Sequence, residues 1–209
     1  MLRFLLFFFS LISLFLLIDF LQKRVFTTVS WSRKATHIAS GVIIMLFPSY
    51  LTKWQIVAMA GSFVVFLFVS KVKKILSLHN IKRVSWGEVY YPASIGILSL
   101  LCLPNFEKAF YAGVLCLSLS DAFAAMVGGA APIKTFKFGK HTKTLGGVIG
   151  FFVTTLSIFL ILFIPHGVHF AVLIAIACVL AFVELLSFYG TDNLAVPIVS
   201  ALLSIWLMY

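Results

Sequence analysis

Acidic side chains are what this sequence has least of: six Asp and Glu stand against sixteen Lys and Arg in 209 residues, and charged residues of both signs make up 11%. Soluble domains carry about 25%, and with 62% of residues hydrophobic the composition excludes a soluble globular protein. It also excludes a nucleic-acid binder, because the net charge of +10 is divided among short loops with no soluble domain to present it. Cysteine is equally sparse. Cys102, Cys116 and Cys178 lie singly in apolar segments without C-x-x-C or Cys/His spacing, which excludes a zinc ribbon and a disulfide framework and reads all three as small buried hydrophobes. No internal repeat, low-complexity tract or domain boundary interrupts the chain.

What the sequence has instead is long apolar runs, over residues 2–21, 36–50, 54–70, 91–103, 109–128, 145–164, 168–188 and 194–209. With roughly 20 residues needed per crossing, they predict an all-α, polytopic membrane helix bundle of about eight transmembrane helices. The first run is too long for a signal peptide and is followed by no A-x-A-like cleavage site, so it reads as the first membrane helix. Positive residues stay on the cytoplasmic side of a membrane. Lys23, Arg24, Arg33 and Lys34 fall in the first loop, Lys71, Lys73, Lys74, Lys82 and Arg83 in the third, and Lys134, Lys137, Lys140 and Lys143 in the fifth, while Lys53 and Lys108 are alone in the second and fourth. Eight crossings therefore put both termini on the non-cytoplasmic side.

In that orientation Glu88, Asp121, Glu184 and Asp192, four of the six acids, lie at or near cytoplasmic helix ends. Asp121 interrupts an apolar run, where an ionised carboxylate costs about 2.5 kcal/mol or more on insertion scales, and it reads as functional. It precedes Gly128 by seven residues, about 10 Å along a helix, with Ala124, Ala125 and Gly128 following on the same face. Small residues there allow close helix approach or leave room for a ligand. The stretch G-G-A-A-P-I-K-T-F-K-F-G-K-H-T-K-T-L-G-G then runs from 128 to 147. Its Gly139 turn, ringed by Lys134, Lys137, Lys140, His141 and Lys143, suits polyphosphate oxygens, and Thr144, Gly146 and Gly147 open a helix whose free N–H groups face the same anion. Residues 128–135 come close to a P-loop, but Ile133 replaces the second glycine and no parallel sheet exists to carry it.

Glu184 sits near a helix C-terminus, where the negative end of the dipole disfavours a carboxylate, a cost that a bound cation would offset. Asp192 or Asn193 suits the N-cap of the last helix. Together the two aspartates and the glutamate offer hard oxygen ligands of the kind that hold Mg²⁺ through one or two carboxylates plus substrate phosphates, an arrangement suited to phosphoryl or nucleotidyl transfer.

These residues resemble, in order and spacing, the signatures of the polyprenol kinase family, which includes phytol, dolichol and CTP-dependent diacylglycerol kinases. The matching stretches are S-D-A-F-A-A-M-V-G-G, F-G-K-H-T-K-T-L-G-G and E-L-L-S-F-Y-G-T-D-N-L-A-V-P, with R-K-A-T-H-I-A-S-G (33–41) and W-G-E-V-Y-Y-P (86–92) upstream. The resemblance implies Asp121 and Asp192 as metal-binding carboxylates, and Asp121, Lys143, Asp192 and Glu184 as catalytic. It implies Gly128, Gly139, Lys140, Thr144, Gly147 and Asn193 as nucleotide contacts and Lys34, His37, Glu88 and Tyr90 as substrate contacts. The chain departs from the pattern at Gly146, where the family commonly has glutamate, at Ser120, where glycine is common before the aspartate, and in residues 130–138, which lack an arginine.

The reading that results is a single integral-membrane catalytic domain over residues 1–209. It is expected to transfer the γ-phosphate of CTP or another nucleoside triphosphate, with Mg²⁺, to a polyprenol, phytol-like alcohol or diacylglycerol. The alternatives are a cytidylyltransferase making a CDP-lipid, whose first two motifs are similar, and a small transporter, since intramembrane carboxylates also mark translocation paths. The site is expected to face the cytoplasm, from the inner membrane of a prokaryote or the endoplasmic reticulum or plastid membrane of a eukaryote.

Overall fold

Each of the eight apolar runs is helical in the computed structural model of the protein, which describes residues 1–22, 24, 29–73, 85–138 and 141–209. In chain order the elements are α1 (Leu2–Gln22), α2 (Val29–Ile44), a single turn α3 (Phe47–Tyr50), α4 (Lys53–Lys73), α5 (Gly87–Cys102), α6 (Glu107–Leu115) and α7 (Asp121–Ala130). The hairpin strands β1 (Thr135–Phe138) and β2 (His141–Thr144) follow, then α8 (Leu145–Phe163), α9 (Phe170–Leu186) and α10 (Asp192–Trp206). Among the described residues four helical stretches are long and apolar enough to cross a membrane: Leu2–Gln22, Lys53–Lys73, Glu107–Ala130 and Leu145–His166. α9 and α10 are apolar but shorter.

Two expectations need correction. The run over 36–50 is not one helix: it breaks at residues 45–46, and Pro48 stands in the first turn of the separate α3, where its missing N–H costs nothing. Nor is the chain wholly α. The segment after α7 pairs antiparallel from Thr135 with Thr144 to Phe138 with His141, because its Thr and Phe residues favour extended backbone.

Large apolar side chains point outward on most helices, among them Phe9 of α1, Val65 of α4, Ile161 of α8, Phe182 of α9 and Trp206 of α10. So large an exposed apolar surface belongs in hydrocarbon, where helices satisfy their own backbone groups. Cys178 is also exposed, in place of the burial expected for it. Inside, one core gathers Phe47, Met59, Leu98 and Phe110, and a second gathers Phe151, Phe159, Phe163 and Leu180. α6 and α10 join them, since Phe110 and Ala201 belong to the first and Ala112 and Val196 to the second.

Contacts between distant segments gather at two ends of the bundle. At one, Phe7 packs on Phe47 and Phe106 on Tyr209, near both termini, and Lys108 meets His166. At the other, side chains of α2, α7, β2, α9 and α10 line one polar cavity.

Candidate functional site

Between α6 and α7 the helix widens into a π-helical stretch, Cys116–Ser120, and Asp121 is the first residue beyond it. Such widened turns occur mostly as single interruptions of α-helices, often at functional sites. Ser118 and Ser120 do not serve Asp121: the first donates to the Val114 carbonyl (2.8 Å), and the second accepts from Thr155 (2.9 Å). The partner is Lys34 of α2, whose Nζ donates to the Asp121 main-chain oxygen (2.9 Å) and lies 3.4 Å from its Oδ2. Gly41, two turns along α2 from Lys34, makes that approach possible, because a Cβ there would lie 2.6 Å from Ser118 Cβ.

The hairpin delivers the next group. Lys143 of β2 donates to the Glu184 carboxylate, Nζ to Oε1 2.6 Å, and to the Glu184 main-chain oxygen at the end of α9. In place of the bound cation expected beside Glu184 stands an ammonium of the chain itself, where a helix C-terminus favours positive charge. Thr144 caps α8 by accepting from Gly147 N (3.1 Å). α7 and α8 meet through glycines: a Cβ on Gly128 would stand 3.1 Å from Gly147 Cα, and one on Gly147 would stand 3.0 Å from the Ala124 carbonyl oxygen.

These groups surround a cavity of about 300 Å³, at the lower end of ordinary ligand pockets. Asp121, Asp192, Glu184, Lys34 and Lys143 line it, with Thr144, Gly147 and Val148 from the beginning of α8 and Gly128 and Thr142 beside them. Asp192 is the first residue of α10, where the positive end of the helix dipole favours a carboxylate. Among the described residues no three His, Cys, Asp or Glu side chains cluster closely enough to hold a metal ion alone. Two aspartates lining the same cavity are hard oxygen donors that instead fit a cation keeping further positions for water or phosphate oxygens.

The remaining expected residues lie elsewhere. Asn193 is buried and turned inward, donating from Nδ2 to the Gly87 carbonyl (2.9 Å), so it ties α10 to α5 and borders a small cavity beneath Asp121 and Asp192. His37 and Glu88 line a separate cavity with Arg33 and Tyr91, while Tyr90 lines neither that cavity nor the larger one. Glu88 is paired with Lys71. Gly139 and Lys140 are outside the described residues. Sequence reasoning missed Tyr91 and the pairing of Lys34 with Asp121. A helical count over Y-Y-P, which separates adjacent tyrosines by about 100°, is the signal that was available for Tyr91.

No family model matches the chain, and no solved structure does. Two curated proteins are similar along most of their length. A phytol kinase of Synechocystis sp. is 28% identical over 201 residues, covering 89% of this chain and 83% of its own. An uncharacterized protein of Methanocaldococcus jannaschii is 29% identical over 181 residues, covering 81% of this chain and 89% of its own.

Proposed function

The chain belongs to the polyprenol and phytol kinase family, and on that premise we propose that it transfers the γ-phosphate of a nucleoside triphosphate, CTP in the first instance, to a lipid alcohol. The observation that carries this reading is the 300 Å³ cavity, in which Asp121 and Asp192 face Lys34, Lys143 and the amino end of α8 at one end of an apolar bundle. Lysines and helix N–H groups suit phosphates; aspartates suit the cation that accompanies them. A transporter would be expected to distribute carboxylates along a path, whereas here Asp121, Glu184 and Asp192 gather in one cavity.

In the proposed reaction the alcohol oxygen forms a bond to the γ-phosphorus, the bond from that phosphorus to the β,γ-bridging oxygen breaks, and the nucleoside diphosphate leaves. Asp121 and Asp192 would hold Mg²⁺, which when bound neutralises charge on the triphosphate. Lys34 and Lys143 would turn from their carboxylates to phosphate oxygens. Glu184, released from Lys143, would accept the hydroxyl proton. Positioning and charge neutralisation supply most of the catalysis in phosphoryl transfer, and the arrangement asks no more of these residues.

We further propose that the helical segments of all eight apolar runs cross the membrane as one catalytic domain, with the cavity on the cytoplasmic side and both termini opposite.

The test is a purified-protein assay in detergent with Mg²⁺, labelled CTP or ATP, and phytol, farnesol, a long polyprenol or diacylglycerol, following lipid and nucleotide products. A phosphorylated alcohol with CDP is expected. Pyrophosphate and a CDP-lipid would make the protein a cytidylyltransferase, and uptake of a solute into proteoliposomes without nucleotide would make it a transporter.

A further inference from the structure

Two stretches marked in the sequence still lack a role: W-G-E at 86–88 and the Y-G-T that precedes Asp192. They meet in the fold. The Trp86 N–H donates to the Tyr189 carbonyl (2.8 Å), Asn193 Nδ2 donates to the Gly87 carbonyl (2.9 Å), and the Asn193 N–H donates to the Gly190 carbonyl (3.2 Å). A Cβ on Gly190 would stand 2.3 Å from Gly87 N and 2.6 Å from Gly87 Cα, and one on Gly87 would stand 2.6 Å from Asn193 Nδ2. The start of α5 and the turn before α10 are therefore in backbone-to-backbone contact, which glycine at both positions permits.

The turn needs that support. Tyr189 (φ 56°) and Gly190 (φ 90°) are both left-handed. For a side chain as bulky as tyrosine this is a strained conformation, and strain persists only where the surroundings fix it. The supporting segment is itself anchored to α4: Lys71 donates to the Ser85 carbonyl (2.6 Å) and to the Glu88 carboxylate, and Phe68 stacks on Trp86 with ring centroids 6.0 Å apart. Asp192, two residues after Gly190, is thereby referred to α4 and α5, helices that supply none of the residues lining the 300 Å³ cavity.

We propose that Gly87 and Gly190 are positioning residues, whose contact holds the first turn of α10 so that the Asp192 carboxylate stays in the cavity with that of Asp121. The assignment rests on the kinase reading above and extends it to residues that touch no substrate. A cation shared by carboxylates of α7 and α10 requires those helices to keep a fixed spacing, and groups that orient ligating carboxylates matter by about 10–100-fold to metal affinity or activity. Ordinary Cβ contacts begin at 3.4 Å, against the 2.3 Å that alanine at 190 would impose. The turn would have to retreat by about 1 Å, a misplacement that costs about 100-fold in rate.

The test is made on the full-length protein in detergent. Amide exchange followed by mass spectrometry reads the Trp86 N–H, whose bond to Tyr189 lasts only while the two segments touch. The electron paramagnetic resonance of free Mn²⁺ reads cation binding in the presence of CTP and without an acceptor. In Gly190→Ala the Trp86 amide should exchange faster, Mn²⁺ should bind about tenfold more weakly, and kcat should fall about 100-fold with the KM for the alcohol unchanged. Gly167→Ala is the control: Gly167 is also left-handed (φ 78°) but has nothing within 4 Å of its Cβ position. It carries the backbone strain without the collision and should change none of the three. If Gly190→Ala does not fold, Gly87→Ala decides. Its methyl collides with the Asn193 amide, so Mn²⁺ affinity should fall, and adding Asn193→Ala, which removes the colliding group, should restore it. Equal losses in Gly167→Ala, wild-type Mn²⁺ affinity in folded Gly190→Ala, or no restoration in the double variant would overturn the proposal. An enzyme that phosphorylates alcohols while giving any of these results loses the positioning role and keeps the kinase reading. One that shows the expected Mn²⁺ and exchange differences but transfers no phosphate from any nucleotide loses the kinase reading and keeps the positioning role.

Discussion

Lys143 and Glu184, 41 residues apart, form an ion pair in which the ammonium lies 2.6 Å from the carboxylate and also bonds the glutamate's own carbonyl. Glu184 lies in the last turn of α9, where negative charge is disfavoured, and β2 carries the lysine to it. With both side chains less than one-fifth exposed, neither is comfortable without the other. The same pairing of an acid with a lysine from another segment recurs at Asp121 with Lys34 and Glu88 with Lys71, which is how a bundle short of carboxylates holds them near hydrocarbon.

Removing one member of the Lys143–Glu184 pair should therefore cost more than removing both. Lys143→Met and Glu184→Gln are each expected to destabilise the protein by about 3 kcal/mol, and the double variant to recover most of that. Thermal unfolding in detergent measures it. Phosphate transfer should be lost in all three, because the proposed reaction uses both groups. A double variant no more stable than the worse single would show that the pair is not what holds α9 to the hairpin.

Asp121→Asn keeps the shape of the side chain and the bond from Lys34 to the main-chain oxygen, which does not depend on the carboxylate. It should remain folded and inserted while transfer falls by about 100-fold or more, the scale seen when one electrostatic contact to a transition state is removed. Steady-state assay with labelled CTP reads this directly. Full activity would remove Asp121 from the site.

Asp121 was legible in the sequence because a charge in an apolar run needs a reason, and Lys143, Thr144 and Gly147 were legible because glycines and lysines accumulate just before a helix. The partner of Asp121 was not: Lys34 lies 87 residues away, and only the packing of α2 on the π-helical stretch joins them. The stretch itself left no trace, since one widened turn hardly disturbs an apolar pattern. The hairpin was hidden by its loop-like composition, although T-F-K-F and H-T-K-T are short enough to pair. Asn193 misled in the opposite sense. A polar residue beside Asp192 reads as a ligand group, and only the structure shows its amide spent on a neighbouring helix.

That makes Asn193 a test of position against chemistry. Asn193→Ala deletes the donor to the Gly87 carbonyl and with it the tie between α10 and α5, a loss of about 1 kcal/mol. The melting temperature should fall while nucleotide KM in the surviving folded enzyme stays near that of the wild type. A raised nucleotide KM at unchanged stability would restore Asn193 to the nucleotide contacts.

The proposed topology makes a prediction that needs no substrate. If all eight segments cross, Lys108 in the first turn of α6 and Lys134 between α7 and β1 lie on opposite sides of the membrane, because one crossing, α6 through α7, separates them. Lys108→Cys and Lys134→Cys, each made in a chain whose three native cysteines are replaced by alanine, can be labelled with a membrane-impermeant maleimide in sealed vesicles of known orientation. Lys134→Cys should react only from the cytoplasmic face, in keeping with the bias of positive loops to that side, and Lys108→Cys only from the other. Reaction of both from one face would mean that Glu107–Ala130 does not span, and would place Asp121 in a re-entrant segment. The reverse orientation would put the nucleotide cavity on the face without nucleoside triphosphates, and the kinase reading would fail with it.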